Sequence, residues 1–150
     1  MPSPRQDLVE AFAHVWERFQ RRMDGLHDEE WRWQPTPDAR LTLSWRLHHI
    51  ADMLSEERNG AWLGIDADPS KRLPHSTARD ALADVETCYE HLVTILTSAT
   101  DSSLAERIGP AAGIYGDATR FSFGLHLLDE LIHHTAESAL LRDLYPGGRR

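Results

Sequence analysis

The sequence predicts an all-α protein built as a four-helix bundle. Four segments repeat apolar residues at spacings of three and four, the period of one helix face. No stretch of useful length alternates apolar and polar residues as a half-buried strand would. Connectors carrying proline and glycine separate the four segments, and amphipathic helices bury such stripes against one another. A chain of 150 residues has the length of one domain, read here as 1–150, and is large enough for a hydrophobic core.

The first helix is expected over 4–24. Ser3 can cap it, Pro4 suits its first position and Gln6 completes a capping box. Leu8, Phe12, Val15 and Phe19 then mark one face, and Gly25 ends it. Residues 27–40 read as a connector. Asp28-Glu29-Glu30-Trp31 has the make-up of one helical turn, and Pro35 and Pro37 prevent a longer one. Trp31 and Trp33 are large for a free loop and are expected against the bundle, with His27 at the surface. The second helix opens at Thr42 or Ser44 and is expected to run to about Leu63, before Gly64. Its stripe is Leu43, Leu47, Ile50 and Leu54. His49 sits at the edge of that stripe, one turn from Trp45 and Met53, while His48 points about 100° away, toward water.

Residues 64–75 form a polar loop. Thr77 starts the third helix, expected over 77–98, with Leu82, Val85, Tyr89, Leu92 and Leu96 as its seam and His91 off it, in solvent. The lone cysteine, Cys88, lies in this helix and reads as a structural thiol. The longest connector, 101–119, contains Gly109-Pro110, Gly113 and Gly116. Loops of this length tend to be functional or mobile, so it is expected to cover one end of a site on the fourth helix, about 119–144. Pro146-Gly147-Gly148-Arg149-Arg150 reads as a helix stop and a basic tail.

Sixteen basic and twenty-four acidic residues give a net charge of −8, which disfavours binding to a nucleic-acid backbone. No run reaches the roughly 18 apolar residues of a membrane helix, and no signal peptide is visible. A single cysteine forms no internal disulfide and fits a reducing cytoplasm.

The fourth helix carries the chemistry. Leu125 to Glu137 holds three of the nine histidines and three carboxylates. Residues four apart stack one turn above each other, so His126, Glu130 and His134 form one ladder and His133 and Glu137 a second. The first ladder continues as Leu140, Leu141 and Leu144, which predicts a core-facing stripe. Buried ionisable groups are costly unless paired or metal-bound. Glu130 and His134 have the spacing at which two ligands on a helix share an ion, and His49 is the best third ligand. His, His and Glu with an open position suit catalytic zinc, and also non-haem iron or nickel. Alternatives stay open at this point. His126 could replace Glu130 or His134, or orient a ligand from behind. His133 with Glu137 is a rival pair. Asp52 could be a fourth ligand or an acceptor for His49, and Asp129 reads as outward-facing.

Leu43-Ser44-Trp45-Arg46-Leu47-His48-His49-Ile50-Ala51-Asp52, Asp129-Glu130-Leu131-Ile132-His133-His134-Thr135-Ala136-Glu137 and Leu141-Arg142-Asp143-Leu144-Tyr145 resemble the DinB-like (YfiT-like) superfamily of metalloenzymes. Trp31-Arg32-Trp33-Gln34-Pro35 is similar to the connector of its actinobacterial members. The resemblance implies an up-down-down-up bundle with a metal between helices, held by a histidine of helix two and an HxxxH pair of helix four. His49 and His134 match that pattern. Glu130 departs from it, and resembles instead the two-histidine, one-glutamate site in the N-terminal domain of mycothiol-dependent maleylpyruvate isomerase.

The resemblance implies a metal-dependent enzyme using a low-molecular-weight thiol, mycothiol or bacillithiol, against an electrophilic small molecule, as an S-transferase or isomerase. Within it, His126 and Asp52 are expected to support the ligands, and Arg120 and Tyr115 are weaker candidates for substrate contacts. The rival expectations are a metal-dependent hydrolase, a non-enzymatic metal-binding or stress-associated module, with a homodimer through a helix face, and a metal-free polar network.

Overall fold

The chain folds into α1 (Pro4–Met23), α2 (Asp28–Arg32), α3 (Leu43–Ser55), α4 (Arg58–Trp62), α5 (Ala78–Ser98), α6 (Asp101–Leu104), a 3-10 helix (Pro110–Tyr115) and α7 (Arg120–Leu144) in the computed structural model, which describes residues 1–147. Side-chain caps set the starts of the long helices. The hydroxyls of Ser3, Thr42, Thr77 and Thr119 accept from the backbone N–H groups of Gln6, Trp45, Asp80 and Ser122, satisfying donors that the first turn leaves free. No strand forms among the described residues, only an isolated bridge between Arg107 and Thr119. None of the described helices is long and apolar enough to cross a membrane.

α3 packs between α5 and α7, and α1 also lies against those two. Contacts fix the directions. Leu8 meets Gly124 near the starts of α1 and α7, and Arg22 reaches Ala139 O and Asp143 near their ends, so α1 and α7 run together. Arg46 pairs with Glu137 and His49 with His134, so α3 runs against α7. Arg5 binds Asp101 and Thr97 O at the far end of α5, so α5 opposes α1. Phe12, Leu47, Ile50, Leu54, Leu92, Leu96, Leu127 and Leu131 fill the centre. Gly124 permits a close approach of α1 and α7, because a Cβ there would sit 2.7 Å from Leu8 Cδ2.

Several expectations need correction. Helix two does not run unbroken to Leu63. It ends at Ser55, Glu56 takes an extended ψ of 132°, and a separate turn, α4, follows. The buried Asn59 explains the break, since its Nδ2 donates to Met53 O and Leu54 O, carbonyls that would otherwise end the helix unpaired. The fourth helix's stripe also divides. Leu141 is buried, but Leu140 and Leu144 are exposed, and His126 is exposed too. The connector 101–119 is held by a Thr100–Ser103 capping box and by backbone bonds from Ile108 to Ala118 and from Gly109 to Gly116. His91 is half-buried rather than in open solvent. Trp31 is buried, and Trp33 packs edge-on against Tyr145. Of the terminal tail, 148–150 lie outside the described residues.

Candidate metal centre

α3 and α7 run antiparallel past each other, and their facing sides bring His49 to His134, which Glu130 also meets. His49 Nε2 lies 3.1 Å from His134 Nε2, which lies 3.1 Å from Glu130 Oε2. The two imidazoles meet edge to face, with centroids 4.4 Å apart at 85°. His134 is buried, while His49 and Glu130 are half-buried. Trp45, one turn before His49, lies flat on its ring at 4.8 Å and 16°.

Glu137 organises the other side of His134. Its Oε1 is 2.9 Å from His134 Nδ1 and 2.9 Å from His133 Nε2, and its Oε2 is 2.6 Å from an Arg46 nitrogen. An ionised carboxylate only accepts hydrogen bonds, so His134 donates to Glu137 through Nδ1, which in the neutral ring leaves the lone pair on Nε2. That lone pair faces Glu130 Oε2, another acceptor, and His49 Nε2. Burial, then the neighbouring His134 and Arg46, lowers the pKa of His49 against the pull of Asp52 and Glu130, favouring the neutral form a ligand needs.

Among the described residues, the grouping of possible ligands whose atoms all lie close to one another is a different one that shares His134. Ligand atoms of His133, His134 and Glu137 lie within 4.8 Å of one another and could hold a metal ion. In this grouping His134 offers its other nitrogen, the His133 side chain is 62% exposed, and Glu137 is already tied to Arg46.

The other candidates lie elsewhere. Asp52 turns from His49, with Oδ2 at 3.1 Å from His48 and Oδ1 at 2.7 Å from Arg72. His126 stacks on Phe123, two turns before His134, and shares a surface cavity with Tyr115. Arg120 is an anchor, bonded to Ser103 O and Glu106. Asp129 is exposed. Sequence reasoning placed Glu137 only in the rival ladder and missed its hold on His134. The signal was present, because a residue three positions on shares a helix face. The tie to Arg46 had no local signal.

The family model described as the DinB superfamily matches residues 11–138, a span that includes His49, Glu130 and His134. Comparison with curated proteins and with solved structures gives no match. The match runs from the middle of α1 to the last third of α7 and takes in every long helix, so the chain belongs to the DinB superfamily.

Proposed function

We propose that the chain is a metal-dependent enzyme whose His49, Glu130 and His134 hold a divalent transition metal, with zinc the best fit. The observation that carries this is that His134 Nε2 lies 3.1 Å from both His49 Nε2 and Glu130 Oε2, across two antiparallel helices. Three such ligands leave a position open, as catalytic sites do and closed structural sites do not. When bound, the ion supplies a positive charge that lowers the pKa of a coordinating thiol. The chain's own residues do the rest. Glu130 sets the net charge of the site, Glu137 fixes His134 in one tautomer, Arg46 holds Glu137, and Trp45 shields one face of His49 from water. The reaction proposed is transfer of a low-molecular-weight thiol, of the mycothiol or bacillithiol kind, to an electrophilic small molecule. It rests on the superfamily and on the glutamate at position 130.

Metal analysis of protein purified without a histidine tag tests the site. The wild type is expected to carry about one equivalent, and His49→Ala and Glu130→Ala less than about a tenth of that. His133→Ala is expected to keep its metal. The reverse pattern would move the ion to the overlapping His133, His134 and Glu137 group, which the closeness of those atoms favours as the second reading. For the reaction, equal turnover of an electrophile with and without added thiol would remove the transferase reading.

A further inference from the structure

A cavity of about 290 Å³ opens between α4, the 3-10 helix and the start of α7. Three aromatic rings wall it. Trp62 lies 4.9 Å from Phe123 and 6.3 Å from Tyr115, centroid to centroid. Two nitrogen bases share the lining, Arg58 and His126. The Arg58 guanidinium sits 4.8 Å over Trp62 and 5.7 Å from the Phe123 ring. Its Nε is bonded to Glu56 at 2.7 Å, which leaves the Nη hydrogens for a ligand. His126 lies near-parallel to Phe123 at 22°, so its ring nitrogens lie at the edge of the stack. Among the described residues no carboxylate lines the cavity, although the chain has twenty-four acidic residues to sixteen basic ones.

These features select a ligand by chemistry. Ring walls favour a flat apolar body, by stacking and by removal of surface from water. A guanidinium presents a planar fork of donors that matches a carboxylate, and an imidazole adds a further donor. Tyr115 is 60% exposed, so the pocket is open to solvent on the 3-10 side. The volume suits a single ring with one substituent.

We propose that this cavity binds a small planar carboxylate, its ring among Trp62, Tyr115 and Phe123 and its carboxylate against Arg58 and His126. The site is independent of the metal centre. None of its residues belongs to the ligand set, and His126 is one helical turn, about 6 Å of rise, from Glu130 and two from His134.

The test uses the full chain, stripped of metal, with benzoate as the probe followed by ligand-observed NMR and calorimetry. Saturable binding with a Kd on the order of 1 mM is expected for so small a ligand. Benzamide, which is flat but uncharged, is expected to bind about tenfold more weakly, as are benzoate with Arg58→Gln and with Tyr115→Leu. Arg58 and Tyr115 are exposed, so these variants keep the fold, and circular dichroism checks that they do. His49→Ala is expected to bind benzoate as the wild type does, whatever becomes of its metal. Equal affinity for benzoate and benzamide, loss of benzoate binding in His49→Ala, or no saturation would overturn the proposal.

Discussion

Glu137 holds two helices in register through single atoms. One oxygen accepts from His134 and the other takes Arg46 of α3. Glu137→Gln keeps the size but offers an amide group to one of these partners, so it is expected to lower metal affinity about 10- to 100-fold with little loss of helicity. Competition with a chromophoric chelator measures this, and an unchanged affinity would reduce Glu137 to a surface contact. Cys88 is a different case at the same scale. It is fully buried, and burial, with the nearby Asp84 carboxylate, pushes its thiol pKa up against the weaker influence of Ser70, Arg72 and Ser55. The nucleophile is the thiolate, so a disulfide reagent is expected to leave the native protein unmodified and to titrate one thiol in denaturant.

Between elements, two buried carboxylates pin segments that have little apolar surface of their own. Glu30 of α2 bonds Arg142 of α7 through both oxygens at 2.8 and 3.0 Å, and Arg142 also donates to Arg22 O and Asp24 O at the end of α1. Removing one partner strands the other charge in the interior, so Glu30→Ala is expected to cost about 3–5 kcal/mol in urea unfolding. A cost under about 1 kcal/mol would show that water replaces the pair. Asp84 anchors the 64–76 loop to α5, accepting from Arg72, from the Leu73 N–H at 2.6 Å and from His75 at 2.7 Å. Burial alone would raise its pKa, but these donors outweigh it and hold the pKa below the usual carboxylate range. A lowered folded pKa stabilises above the unfolded value near 4, and that contribution fades as pH falls through the folded one. The stability gap between wild type and Asp84→Asn is therefore expected to be constant from pH 7 to about 5 and to shrink below about pH 4. A gap that widens in acid would contradict the sign.

Across the molecule, what the sequence reveals is what repeats or lies close by along the chain. Helix starts were legible because Ser3, Thr77 and the residues they cap are neighbours. The bundle was legible because the apolar period runs through four long segments. His49, Glu130 and His134 could be picked out as candidates, since two share a helix face and the third stands in a motif, and His134 Nε2 lies 3.1 Å from each of the other two. What stayed hidden depends on partners far along the chain or on a side chain that replaces backbone. Nothing near Glu30 signals burial, because Arg142 lies 112 residues away. The break after Ser55 comes from Asn59 folding back onto carbonyls, an option no periodicity expresses. The stripe on α7 was misread beyond His134, because apolar residues lie on both sides of that helix and a ladder alone does not say which side faces in.

The flat contact between Trp45 and His49 has an optical consequence. An indole in van der Waals contact with an imidazole emits according to the charge that imidazole carries or coordinates. Trp45 is therefore expected to report a change of charge at His49. Emission is expected to change on adding zinc to the stripped wild type and to stay constant in Trp45→Phe, whose four other tryptophans serve as the internal reference. The same signal in both proteins would assign the change to a tryptophan remote from the site.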